Sequence, residues 1–346
     1  MQSMSAEYTS PPSGRFALVG YGDVKYEAVD SADSSAFSAR FVPIFLFSLS
    51  EDIHIEAETE ISINEEGETE VELEYADIHY FLSDSTTFTA GKFLLPFGQF
   101  SANWHPSWIN RTPWTPGIYG SHGGTQAMTP LLPVLSDVGI GVQQVVSVGG
   151  NQRVFINAFM TNGVRGAEHN EEEEEMDEEL PELEFEAVSG DNNKNKAIGG
   201  RVAYAFLPSL EIGTSLYRAK YDADEQLDFV ATGFDVNFIG QHYLVRGEYI
   251  ETETDVLEGA EIHSIDRDGW FLQGTLKLGR LWPALGPVEF VLERAKVSEP
   301  IGSQRWAYGF NYWMDARAVI KFAYEQTDLN DGSDDNRIAA QMSYGF

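Results

Sequence analysis

The run EDIHIEAETEISIN, residues 51–64, decides how this chain is read. Ile53, Ile55, Ala57, Thr59, Ile61 and Ile63 fall at every second position, with His54, Glu56, Glu58, Glu60 and Ser62 between them. A period of two puts each set on its own face of a β-strand, whereas a helix would scatter both around its axis. The same alternation runs through RFALVGYGDVKYEAV (15–29) and AFSARFVPIFLFSLS (36–50). It continues through 68–82, 86–95, 137–148, 151–162, 197–207, 209–221, 226–238, 241–252, 267–279, 288–297, 303–312 and 315–327, and ends at 336–346. Sixteen strands are expected.

Their connections alternate in length. Tight ones are SLSED (48–52), LSDST (82–86), VGGN (148–151), LPSL (207–210), FIGQ (238–241) and WMDAR (313–317), with GRLWPALGP (279–287) somewhat longer. Between them fall longer polar stretches: TDLNDGSDDN (327–336), ETDVLEGAEIHSID (253–266) and a long acidic run. An even number of strands with short turns at one end and loops at the other is the pattern of an all-β, closed antiparallel transmembrane β-barrel of a bacterial outer membrane, with short periplasmic turns and long extracellular loops. A soluble sandwich or propeller also has many strands. No repeat of blade length is visible, however, and these strands suit a tilted span of about nine to eleven residues plus overhang.

Composition narrows the partners. With 22 Lys plus Arg against 55 Asp plus Glu, the chain lacks the basic footprint that nucleic acid demands. There is no cysteine, which removes disulfide scaffolds, zinc–thiolate sites and cysteine nucleophiles. No stretch approaches the roughly 18 to 20 apolar residues of a membrane-spanning helix. The start, MQSMSAEYTSPPSG (1–14), has no apolar signal core, so the chain reads as either cytosolic or a mature form whose signal peptide is missing. Residues 1–14 are taken as an N-terminal segment and 15–346 as a single barrel.

At the end of the chain, RIAAQMSYGF (337–346), Ile338, Ala340, Met342, Tyr344 and Phe346 share one face, and Arg337, Ala339, Gln341, Ser343 and Gly345 the other. The first set suits lipid and the second a wet lumen. A terminal Phe346 with Tyr344 two residues earlier resembles the C-terminal signature of bacterial outer-membrane proteins, which their assembly machinery reads.

Residues 96–136 break the alternation for about forty positions and carry Trp104, His105, Trp108, Arg111, Trp114 and Tyr119. A loop this long is functional or disordered, and its aromatic content argues for order. Its entry, TAGKFLLPFGQF (89–100) followed by HPSW (105–108), resembles the family of phosphate-selective porins O and P and their relatives of other substrate preference. The resemblance implies a homotrimer of water-filled channels, each narrowed by this loop folded into the lumen, with the six residues named above at the constriction. It does not carry the substrate over. Phosphate-binding members use a basic lumen, and the loop here offers Arg111 as its single cation. The tryptophans read either as an aromatic track for solutes or as rings that pack the loop against the wall.

The wall is acidic. In ETEVELEYADIHYFL (68–82), Val71, Leu73 and Tyr75 alternate with Glu70, Glu72 and Glu74. With the preceding strand as hairpin neighbour, Glu56, Glu58, Glu60, Glu70, Glu72 and Glu74 are expected to line one wall, which points to a cation bias. Arg201, Arg218, Lys220 and Arg246 are candidates for the opposing side. The run EHNEEEEEMDEELPELEFE (168–186), within an expected extracellular loop at 163–196, reads as solvated low-complexity sequence. Its sharper reading is a divalent cation that ties it to lipopolysaccharide, although neither it nor DLNDGSDDN (328–336) has calcium-loop spacing. No other metal or cofactor is expected. No H-E-x-x-H or G-x-S-x-G occurs, so no enzyme is expected. The chain is thus expected to be a porin of the outer membrane, in contact with its lipid and lipopolysaccharide, passing small hydrophilic solutes. The alternatives are a substrate-specific channel for a sugar or organic acid that uses the aromatic loop, and a barrel scaffold for partner proteins.

Overall fold

Sixteen antiparallel strands close on themselves in the computed structural model, which describes residues 15–30, 34–63, 67–120, 128–166, 181–185, 192–259, 261–298, 302–329 and 334–346. The first seven are β1 (Phe16–Val29), β2 (Ser34–Ser48), β3 (Ile53–Ile63), β4 (Thr69–Ser83), β5 (Thr86–Leu94), β6 (Ser136–Gly149) and β7 (Gln152–Thr161). A separate two-residue ribbon, β8 (Arg165–Gly166) with β9 (Leu183–Glu184), follows. The barrel resumes with β10 (Ala197–Leu207), β11 (Leu210–Lys220), β12 (Asp228–Ile239), β13 (Tyr243–Glu258) and β14 (Glu261–Lys277). It ends with β15 (Val288–Val297), β16 (Ser303–Asp315), β17 (Ala318–Leu329) and β18 (Asp334–Gly345). The N-terminal segment 1–14 and most of the acidic run, 167–180, lie outside the described residues.

The alternation turns the molecule inside out relative to a soluble protein. Phe37, Phe41, Phe45, Val71, Leu216, Phe310, Phe322 and Ile338 stand exposed on the outer wall, Phe37 at 77%. The buried interior instead holds Asp23, Arg201, Asp235, Arg246, Glu248, Glu293, Arg305, Lys321 and Glu325. A continuous apolar exterior around a polar interior is stable where the outside is not water.

Closure depends on the chain's last residues. Strand β18 pairs with β1 from Tyr21↔Gly345 to Val29↔Arg337, and Phe346 and Gly20 exchange backbone hydrogen bonds of 2.9 and 3.2 Å. The barrel sheet itself is left without an edge strand. The expected facing of β18 holds: Ile338, Met342, Tyr344 and Phe346 are exposed outside, and Arg337, Ala339, Gln341 and Ser343 are buried within. Phe346 stacks on Phe41 with ring centroids 5.5 Å apart. Tyr344 lies over Gly22, where an added Cβ would stand 2.7 Å from its hydroxyl.

Both described ends of the barrel sit with the tight turns, since Arg15 Nη1 donates to the Leu49 carbonyl (3.0 Å) and Gly345 N–H to that of Arg317 (2.7 Å). The opposite end differs from expectation. The stretch 253–266 is not a loop: β13 and β14 stay paired out to Glu258↔Glu261, turning at Gly259 with φ +65°. Likewise β17 and β18 pair to Asp328↔Asp334. Polar residues hid these extensions because a hairpin beyond the apolar belt has no dry face to pattern. Long connections remain in two places, 95–135 and 162–196.

Candidate functional site

The connection from β5 to β6 runs through the barrel interior, and its entry is built around one carboxylate. Glu248 of β13 accepts the backbone N–H groups of Gln99 and Phe100, both at 2.7 Å, on one oxygen, and the Tyr119 hydroxyl on the other. Gly98 makes the approach possible: its φ is +61°, and a Cβ there would sit 2.5 Å from Glu248 Oε2. Burial, reinforced by the Glu248 carboxylate, pushes the Tyr119 phenol well above its ordinary value, which keeps it a donor. A single π-helical turn, Phe100–Trp104, follows.

Beyond this point the loop lies against the wall from β13 round to β1. Irregular backbone in an interior needs donors for its carbonyls, and the wall supplies them as cations. Lys321 donates to the carbonyls of Ser107 and Thr112, Arg305 to Thr115, and Arg267 to Thr129 and Pro130. Neighbouring acids balance some of this charge: Arg305 pairs with Glu293 at 3.1 Å and Glu325 at 3.3 Å, and Arg337 with Glu325 at 2.7 Å and Glu27 at 3.2 Å. Trp104 is wedged between Arg246, whose Cζ is 4.9 Å from its ring centroid, and Phe271. Trp114 donates to Glu27 at 3.1 Å under the Arg337 guanidinium. Arg111 lies on Trp313 at 4.8 Å, with its Nε 3.8 Å from Glu289. Trp108 rests against Gly345 of the closing strand.

What the loop leaves free is a cavity of about 760 Å³ on the opposite side, between residues 96–106 and the inner faces of β3 to β7 and β10 to β12. Of the six loop residues singled out by sequence, Trp104 and His105 line it. Trp108, Arg111, Trp114 and Tyr119 serve instead as anchors behind it, which favours packing over an aromatic track. Glu56, Glu58, Asp77 and Glu211 line the cavity, with Arg201, His79 and His105. Arg201 is held by Asp235 at 2.6 Å and Glu211 at 2.8 Å. His105 places its Nε2 3.9 Å from Glu58, and His79 Nε2 lies 3.0 Å from Asp77.

The six wall glutamates separate into four environments. Glu56 and Glu58 face the cavity, while Glu60 is bound by Arg40 of β2 at 3.1 Å, which also holds Asp23 at 2.9 Å. Glu70 and Glu72 are exposed, pairing in register with Ser62 and Glu60. Glu74 is buried at a β-bulge, where the pairing slips from Thr59↔Leu73 to Glu58↔Tyr75. That one residue swaps the faces of β4. Val71 and Leu73 point outward before it and Ile78, Tyr80 and Leu82 after it, so Tyr75 turns inward and donates to Glu58. Of the expected opposing cations, Arg201 and Arg246 are interior, but Arg218 and Lys220 lie on the outer face, joined to Asp228. Among the described residues no group of three or more His, Asp or Glu could hold a metal ion; the acidic run falls largely outside them.

No family model matches the sequence, and no curated protein matches it either. The fold is shared with solved porins at low identity. An anion-selective porin from Comamonas acidovorans aligns with a TM-score of 0.62 at 12% identity, covering 96% of this chain and 99% of that one. OmpT, an outer-membrane protein of Vibrio cholerae, gives 0.58 at 11%, covering 96% and 97%. Salmonella typhi OmpF, solved with daunomycin, gives 0.58 at 12%, again covering 96% and 97%.

Proposed function

We propose that this chain is a bacterial outer-membrane porin through which small hydrophilic solutes and ions diffuse passively, with a preference for cations. The observation that carries the reading is the division of the interior: the loop occupies the wall from β13 to β1, and the space left beside it is bordered by Glu56, Glu58, Asp77 and Glu211. The interior cations are engaged elsewhere, Arg305 and Arg337 with carboxylates and Lys321 and Arg267 with loop carbonyls. An ion crossing this space meets carboxylates that outnumber the single arginine, Arg201, and rings of Asp and Glu select cations. The tight turns then face the periplasm, and the two long connections leave the strands at the outer end, the first of them folding back into the interior.

Trimeric assembly and kinship with the phosphate-selective O and P porins belong to the same proposal, on the strength of the TAGKFLLPFGQF entry and the loop it introduces. So does contact with lipopolysaccharide. A phosphate substrate is not part of it, because the cavity's wall carries the opposite charge.

The test is the reversal potential of single channels in a planar bilayer under a potassium chloride gradient. Cation preference is expected at neutral pH, and Glu56→Gln with Glu58→Gln should lower the cation-to-anion permeability ratio roughly fivefold, as loss of about 1 kcal/mol of attraction would. Anion preference in the unaltered protein would overturn the charge assignment. A complete absence of conductance would favour a closed scaffold.

A further inference from the structure

Two cations, Arg294 and Lys296, sit on the outer wall of β15. Arg294 and Lys296 alternate with the buried Glu293, Ala295 and Val297, and so face outward on the side that carries the exposed Leu272 and Leu292. Interior arginines such as Arg40, Arg201, Arg305 and Arg337 are held by carboxylates. Arg294 and Lys296 make no ion pair among the described residues, in a chain with 55 acidic side chains. The Arg294 guanidinium is framed instead by two indoles, 4.7 Å from the Trp306 centroid and 5.8 Å from that of Trp270. Its hydrogen bond within the protein is a long one, 3.4 Å from Nη2 to Gln304 Oε1, and its covered Nε has none. Asp328, two strands away, is occupied by the amides of Gln304 and Gln326.

Rings on either side hold a guanidinium in plane, so that its N–H edge is offered in one direction. Tyr308 and Tyr324 continue the stack from Trp306, making a belt near the end of β15 where the long connections lie. Such belts mark the depth of lipid headgroups, where the abundant anion is phosphate. We propose that Arg294 and Lys296, framed by Trp270 and Trp306, form an outward docking site for the phosphate of a lipid headgroup in the outer leaflet. The site rests on the membrane reading above.

Native mass spectrometry of the detergent-solubilised barrel tests it, with a diphosphorylated glucosamine-disaccharide lipid and the same lipid dephosphorylated. The phosphorylated form should be retained in preference. Arg294→Gln with Lys296→Gln should weaken its retention about thirtyfold, as expected for two cations near a membrane surface. Arg218→Gln with Lys220→Gln, outward cations already joined to Asp228, should leave it unchanged. Equal retention of the two lipids by the unaltered protein, which needs no variant to fold, overturns the proposal, as does equal loss in both variants or full displacement by millimolar inorganic phosphate. A barrel that does not insert into vesicles at all sinks the membrane reading and the site together. One that inserts without preferring the phosphorylated lipid sinks the site alone.

Discussion

Glu248 gathers two backbone N–H groups and a phenol from a loop about 130 to 150 positions earlier in the chain, and so fixes where that loop enters the interior. Hydrogen bonds to a charged acceptor contribute about 1.5–3 kcal/mol against 0.5–1.5 for neutral ones. Glu248→Gln should therefore loosen the entry by roughly 2 kcal/mol while the strand ladder stays intact. The expected result is noisier single-channel current and faster proteolysis within residues 99–120, with barrel melting little changed; quiet current would show that the wall cations suffice to hold the loop. Nothing in the sequence singles out Glu248. Its parity in RGEYIETET (246–254) predicts an inward carboxylate, but a contact across such a separation leaves no local pattern. Arg40 is a nearer case: alternation places it inside, and the exact registers of the β1–β2 and β2–β3 hairpins, which parity alone does not fix, set it beside Asp23 and Glu60.

Strands were legible because each must keep an apolar outer face and a polar inner one, and that requirement is written into alternate residues. Strand β18 reads correctly to its last residue, with Ile338, Met342, Tyr344 and Phe346 outside. Strand β4 shows where the ruler fails. Its apolar phase runs Val71, Leu73, then Ile78, Tyr80, Leu82, a slip of one that was visible in the sequence and was masked by extending the first phase to Tyr75. The bulge at Glu74 absorbs the slip, and Lys92 of β5 donates to the Leu73 carbonyl beside it at 2.6 Å. Deleting Glu74 would remove the bulge and the slip together, leaving Val71, Leu73, Ile78, Tyr80 and Leu82 in one continuous outward phase, whereas deleting Ala323 from the unbulged middle of β17 would turn either Phe322 or Tyr324 into the polar interior. The Glu74 deletion should therefore refold in detergent with little loss of yield and the Ala323 deletion with much lower yield, scored as loss of the folded, faster-migrating band on unheated gels. Deleting a residue within the exposed 253–266 hairpin tip should not lower that yield. An equal loss of yield in the Glu74 and Ala323 deletions would mean that the bulge does more than absorb the slip in β4.

Across the whole molecule, the loop divides the interior into two arcs, one holding cations beside their paired carboxylates and the other a cavity whose charged lining is mainly acidic. Behind it lie Arg246, Arg267, Arg305 and Lys321, all buried; in front of it lies the cavity with Glu56, Glu58 and Asp77. The loop thus has two effects on an ion: it narrows the space, and it screens the basic arc from the path. Replacing residues 99–120 by a short Gly-Ser link removes the carbonyls that Arg305 and Lys321 hold, but it also admits water to solvate them, so the cost stays well below that of a dry unpaired charge. The barrel should remain folded by circular dichroism while single-channel conductance rises. The ion preference should move at the same time toward anions, because Arg246, Arg305 and Lys321 then face the conducting water. Unchanged conductance would place the constriction elsewhere. A larger conductance with the original cation preference would mean that the acidic arc alone sets the field, and that the loop's part is purely steric.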